Sequence, residues 1–405
     1  MSVQTTTTAA LPGPMMIFVL AFMSAVSPFS TDMYLPAFPV MADEFGATTS
    51  QVQLTLTAFL IGLAFGQLVI GVLSDRFGRR IPMLVGAVAC SIASAMCAIA
   101  PTIDFLTASR FAQGFAGSAG IVLARAVVSD RANGIAAARL FTAMMAIGSI
   151  APVIGPVVGG LIVVGSGWRT VFWTLAAFNL VMMLGAVLFV PESLPKDRRQ
   201  RSGARSLMAS ARGVLGNRHY VGYTLTLAFA FMVLFGFISA SPFVLQNIMG
   251  LSTTAYSAAF ATICASIAIC SAVSMRLVAK YSPLQVLRGG VISLVGLTLA
   301  LLLATTVGGV PRWPTLLLML LIVGSLGFVF GNAIALASAQ VRHAAGIGSA
   351  VLGATQFTFG AIASPLVGLG GDDAASPMGF TLFVAAVLSG LALFTTPRKA
   401  ERHTA

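Results

Sequence analysis

Apolar runs of about twenty residues recur along the whole chain, broken by short polar segments. Twelve such runs can be read, at 15–40, 51–73, 81–100, 104–125, 140–163, 168–190, 219–241, 253–275, 286–306, 313–337, 346–368 and 378–396. About twenty apolar residues are what a helix needs to cross a hydrocarbon core of about 30 Å. Inside lipid no water satisfies the backbone, so each run is expected to be a helix. The longest polar segment, 191–218, divides the runs six and six. The expected fold is an all-α membrane protein, with an N-terminal bundle over 1–190, a linker over 191–218 and a C-terminal bundle over 219–405.

Composition supports a lipid solvent. Hydrophobic residues make up 58% of the 405 and charged residues 8%, and the mean hydropathy is +0.96. A soluble domain is about a quarter charged. The net charge of +12 would suggest nucleic acid if it were clustered on a surface. Its placement says otherwise. If both termini lie inside and the runs alternate, all of the 23 Lys and Arg except Arg110, Arg169 and Arg312 fall on the inner side. That bias sets orientation in a membrane and favours an even number of spans. The expected location is therefore the inner membrane, with both termini cytoplasmic. The 1–14 stretch has no Lys or Arg, so the first run is expected to be a retained span and not a signal peptide. Cys90, Cys97, Cys264 and Cys270 all lie within apolar runs and read as small core residues.

The halves resemble each other. Ser74, Arg76 and Arg80 recur at a spacing of 200 as Ser274, Arg276 and Lys280, and A-P-V-I-G-P-V-V-G-G (151–160) resembles S-P-L-V-G-L-G-G (364–371). Two related bundles with a site between them would carry such a pattern.

Asp32 is the one carboxylate well inside a run, and Arg110 the one Lys or Arg. A charge in the bilayer is costly and marks a proton, ion or substrate site by default. The two are predicted to lie at similar depth, and a nearby cation would favour the ionised carboxylate. The bland alternatives are a helix-end cap for Asp32, where Pro36 can stop the helix, and carbonyl bonding for Arg110. Whether the two side chains touch is left open.

G-V-L-S-D-R-F-G-R-R (71–80) lies between the second and third runs, where it resembles the signature loop of the major facilitator superfamily. S-P-F-S-T-D-M-Y-L-P-A-F-P (27–39), R-F-A-Q-G (110–114) and the glycine- and proline-rich run in the fifth span narrow the likeness. Together they resemble the drug:proton antiporters, in particular the Bcr/CflA subfamily. The resemblance implies an antiporter that exports small lipophilic antibiotics, such as phenicol-, sulfonamide- or bicyclomycin-like compounds, by alternating access. Asp32 and Arg110 would couple protons. Asp75, Arg76, Gly78, Arg79 and Arg80 would form a gate, with Asp75 latching the halves in the outward-facing state. Pro152, Gly155, Pro156 and Gly159 would be the antiporter motif that shapes the cavity and limits leak, or would serve packing alone.

Pocket walls are expected from Asp32, Tyr34, Gln113, Asn332 and Gln356, with Phe29, Phe59, Phe235 and Phe357 as apolar members. Pro28 is expected to bend the first span, and Ser239 and Pro242 to break the seventh. No lysine lies in a G-K-[ST] phosphate loop and the three histidines fall at inner loops or the tail, so neither an ATP-driven pump nor a histidine metal or Ser–His site is expected. The inner loops are short for a catalytic domain. The chain therefore reads as no enzyme, with no cofactor and no metal, driven by a proton gradient. Its partners would be drug, protons and lipid, without nucleic acid, and it would work as a monomer. A metabolite exporter or importer on the same fold is the alternative, and would want more polar groups in the cavity. A membrane sensor would need a soluble signalling domain.

Overall fold

A computed structural model describes residues 13–131, 134–199, 212–341, 345–369 and 374–396. The basic residues Arg201, Arg205, Arg342, Arg398, Lys399 and Arg402, and Asp372 and Asp373, lie outside the described residues.

The twelve runs appear as helices. The first half holds α1 (Pro14–Asp32), α2 (Phe38–Phe45), α3 (Thr49–Phe77), α4 (Arg80–Ala98), α5 (Ile103–Arg131), α6 (Gly134–Ser166) and α7 (Trp168–Phe189). The second holds α8 (Arg218–Pro242), α9 (Thr253–Val278), α10 (Pro283–Thr306), α11 (Arg312–Gln340), α12 (Ala345–Gly368) and α13 (Ala375–Phe394). Among the described residues eleven helices are long and apolar enough to cross a membrane, with α1 and α2 counted as one span, and α6 adds an apolar stretch over Ile150–Ser166.

Local chemistry sets the ends. Thr48 and Gln51 form a reciprocal cap at the start of α3, and Ser282 and Gln285 form one at α10. Gly78 ends α3 at φ +91°, a conformation that a side chain would strain. The first run is broken, as Pro36 suggests: α1 stops at Asp32, a 3₁₀ turn covers Leu35–Ala37, and α2 follows. A proline lacks the N–H that would continue the ladder and crowds the preceding residues. The prolines within α1 and α6 interrupt neither helix, since both run on through Pro28 and through Pro152 and Pro156. Pro242 does not break its span either. The chain widens there into a π-helical turn over Phe243–Ile248.

In the first half α3 and α4 pack on α5, α4 on α7, and α1 on α5, α6 and α7. In the second, α8 packs on α11, α12 and α13, α11 on α9 and α10, and α10 on α13. The halves meet chiefly through α3 with α12 and α6 with α9. Small residues allow these approaches. A Cβ at Gly62 would collide with the Phe111 carbonyl oxygen, and one at Gly160 with Ser257 across the halves.

Candidate functional site

Asp32 is the last residue of α1 and is 4% exposed. α6 passes so close that Gly155 faces it, with Phe29 and Met33 beside the same glycine. From the other half, Tyr256 and Cys264 of α9 lie within electrostatic reach of the carboxylate. Tyr256 shares a 3.2 Å hydroxyl contact with Ser241 of α8. Among the described residues the Asp32 carboxylate has no hydrogen-bond or ion-pair partner. It is an unpaired acid where the two halves meet, a position costly for a charge and suited to taking up a proton or a cation.

Arg110 is fully buried and does not pair with Asp32. Its guanidinium lies 4.2 Å from the ring centre of Tyr34, 4.3 Å from Phe59 and 5.7 Å from Phe172. Nη1 donates to Gln113 Oε1, and Gln113 Nε2 donates to Ser94 Oγ at 2.7 Å. Aromatic faces and one amide thus hold the cation, and the contact with Asp32 that the sequence left open is not made. Tyr34, Phe59 and Gln113, expected as pocket walls, form this clamp, and Tyr34 also meets Thr55 Oγ1 at 3.2 Å. Phe172 was missed. Only its position on α7 brings it in, and nothing in the spacing of the chain signals that.

The other expected walls separate. Asn332 donates to Ser274 Oγ at 2.9 Å and to the Phe328 carbonyl at 2.8 Å, which ties α11 to α9. Phe235 and Phe357 lie 6.3 Å apart in an aromatic cluster with Phe231 and Phe330. Gln356 is half-buried beside Phe357. Phe29 packs edge-on to Phe178 at 5.8 Å. Of the four α6 residues singled out, Gly155 faces Asp32 and Gly159 abuts the Met33 carbonyl oxygen, while Pro152 and Pro156 lie within the same helix.

The 71–80 loop is closed within its own half. Arg79 Nη1 donates to Asp75 Oδ1 and Ser74 Oγ, each at 2.6 Å, and Nε to Asp130 Oδ2 at 3.1 Å. Glu192 accepts from the backbone of Arg79 at 2.8 Å and of Arg80 at 3.3 Å, beside Gly78. Arg80 Nη2 reaches the Val187 carbonyl at 2.8 Å, and Arg76 lies over the Phe77 ring. Burial pushes the Glu192 carboxyl up. The N–H groups of Leu194, Arg79 and Arg80 and the Arg199 guanidinium outweigh this and hold it below its ordinary value. Asp130 and Glu192 were not foreseen as parts of this loop. Their scarcity was the available signal, since acids are few beside so many arginines.

At the opposite end the halves are sealed by neutral hydrogen bonds. Ser50 Oγ donates to the Gly368 carbonyl at 2.5 Å, Gln53 Nε2 to the Ser239 carbonyl at 3.1 Å, and Ser364 Oγ to the Gln53 carbonyl at 2.9 Å. Gln246 Nε2 donates to the Pro36 carbonyl at 3.2 Å, and the Phe38 and Phe243 rings lie 5.9 Å apart. Glu44, Trp168 and Arg169 tie α2 to α7 at this end.

Residues 20–365 match the sequence model of the Major Facilitator Superfamily. The chain is 36% identical, over 93% of its length and 94% of the relative's, to YdgK of Bacillus subtilis (strain 168), described as an uncharacterized MFS-type transporter. It is 28% identical, over 93% of its length and 95% of the relative's, to a bicyclomycin resistance protein homolog of Haemophilus influenzae. Its fold is similar to the crystal structure of a bacterial homolog of the human lysosomal transporter Spinster, with a TM-score of 0.74 at 15% identity, covering 95% of this chain and 98% of that one.

Proposed function

Since the chain belongs to the Major Facilitator Superfamily, a family of membrane transporters, we propose that it is a drug:proton antiporter of the Bcr/CflA type. The cargo is a small lipophilic antibiotic, of phenicol or bicyclomycin type, and export runs against an inward flow of protons. The observation that carries this reading is Asp32, an unpaired carboxylate in contact with α6 and within reach of α9. A proton arriving from outside neutralises it and loosens its hold on cargo. Loss of that proton to the inside restores binding. Proton and cargo are then linked through one group whose environment changes as the halves rock.

The remaining parts fit the same cycle. Residues 1–190 and 219–405 act as the rocking halves, joined by 191–218. The seal around Gln53 closes the outer side. The 71–80 loop, bonded among the described residues to its own half and to the start of the linker, is free to latch the other half when the inner side closes. Asp75 then exchanges Arg79 for a partner in the second half. The protein sits in the bacterial inner membrane with both termini cytoplasmic, and works as a monomer. The similarity to a bicyclomycin resistance protein homolog supports drug over metabolite as cargo.

The test is drug-dependent proton movement in proteoliposomes, read with a pH-sensitive dye. Wild-type protein should move protons when drug is added, and Asp32→Asn should not. Full coupled transport by Asp32→Asn would overturn the reading.

A further inference from the structure

The first half neutralises its basic loop, and among the described residues the second half does not. Arg79 is paired with Asp75 and Asp130, and Glu192 caps the backbone beside it. The matching turn of the second half carries Arg276 and Lys280, followed by Arg288. The described residues of the second half, 219–341, 345–369 and 374–396, contain no Asp or Glu at all. Arg276 and Lys280 are both exposed.

Beside this turn lies a cleft. α9 and α10 both pack on α11 but scarcely on each other, so a gap remains between them with Phe328 of α11 as its floor. The cavity measures about 300 Å³, and its walls include Leu277, Tyr281, Gln285, Gly289 and Ser293. A Cβ at Gly289 would meet nothing within 4 Å. Met275 and Ile292, close in sequence to the walls, are exposed apolar side chains on α9 and α10, two spans long and apolar enough to cross the membrane, so the gap between these spans is read as opening toward lipid. Leu277, Val286 and Phe328 give it an apolar part that suits an acyl chain, while Tyr281, Gln285 and Ser293 add polar groups to its walls.

We propose that this cleft binds an anionic phospholipid, with an acyl chain along Gly289 and Phe328 and the phosphate on Arg276 and Lys280. Each of the two cations adjoins a wall residue, Arg276 before Leu277 and Lys280 before Tyr281. The headgroup supplies the negative charge that the first half draws from its own acids, and basic pockets between spans suit such headgroups. The exposed aromatic Tyr281 stands where the hydrocarbon gives way to headgroups. This site lies outside the Asp32 region and does not depend on what the protein carries.

The test is native mass spectrometry of the purified full-length protein with phosphatidylglycerol or phosphatidylcholine, at low and high salt. Wild type should retain phosphatidylglycerol preferentially and lose the preference at high salt, an arm that needs no variant. Arg276→Gln with Lys280→Gln should weaken phosphatidylglycerol retention about thirtyfold and leave phosphatidylcholine unchanged. Gly289→Leu, which fills open space, should weaken both lipids. Glycerol phosphate, the headgroup without a chain, should fail to compete. Equal retention of both lipids by wild type, a preference that survives high salt, full retention by Gly289→Leu, or displacement by glycerol phosphate would each overturn the proposal.

Discussion

A Cβ placed on Gly155 would lie 3.2 Å from the Asp32 Cβ. One turn further along α6, Gly159 abuts the backbone oxygen of Met33. The two glycines therefore differ in what an added methyl would displace. Gly155→Ala asks the α1–α6 contact to widen by a few tenths of an ångström, since the Asp32 Cβ moves only with its backbone, and should fold normally while impairing transport. Gly159→Ala must push α6 away from α1, and should cost about 1–3 kcal/mol of stability. Thermal unfolding in detergent beside a drug-resistance assay separates the two, and equal melting temperatures would contradict the packing argument.

Arg110 depends on the planar shape of its head, which lies over Tyr34 and Phe59 while Nη1 bonds Gln113. Lysine keeps the charge but not the plane. Arg110→Lys should lose about 2 kcal/mol of this clamp and most transport. A lysine variant with wild-type melting and transport would show that charge alone suffices.

Gln53 bonds the Ser239 carbonyl from the opposite half and accepts from Ser364 through its own carbonyl. Leucine has similar bulk and no amide. Gln53→Leu removes one buried cross-half hydrogen bond, worth about 1 kcal/mol, and should shift the equilibrium about fivefold toward the state in which this end is open. Labelling of Ser50→Cys by a membrane-impermeant maleimide should quicken to that degree in the Gln53→Leu background. An unchanged rate would remove Gln53 from the seal.

Glu192 has a folded-state pKa below its ordinary value, because backbone N–H groups and Arg199 favour the carboxylate against the effect of burial. Such a group contributes stability that is fully present above the ordinary pKa and is lost as pH falls through the lowered one. Wild-type melting temperature should therefore drop on acidification through the carboxylate range. Glu192→Gln should start lower at neutral pH and fall less steeply. Parallel pH curves for the two proteins would rule this contribution out.

Much of the fold was legible because the period of apolar runs is long and lipid permits few structures. The break after Asp32 could be expected from Pro36, and the close passage of α6 from its glycines. What failed to show was side-chain pairing across helices. Arg110 and Asp32 are matched in predicted depth, which says nothing of rotation about each helix axis. In the fold Arg110 turns to Tyr34, Phe59 and Phe172, whereas Asp32 turns to Gly155 and α9. Asn332 was expected on a cavity wall and instead satisfies Ser274, because a buried amide takes the nearest partner. One proline misled in the other direction. Pro242 was expected to break its span, and the chain there widens into a π-helical turn and runs on.

The seal between the halves is built from hydroxyls, amides and carbonyls, and every ion pair among the described residues lies in the first half or in the linker that follows it. Dissolved salt screens charges and leaves neutral hydrogen bonds nearly untouched. This outer seal should therefore open alike in dilute and concentrated buffer, even where ionic strength weakens the Asp75–Arg79 pair at the other end. A transporter so made would hold its outer door by bonds indifferent to ionic strength, and leave only the inner one to feel the salt around it.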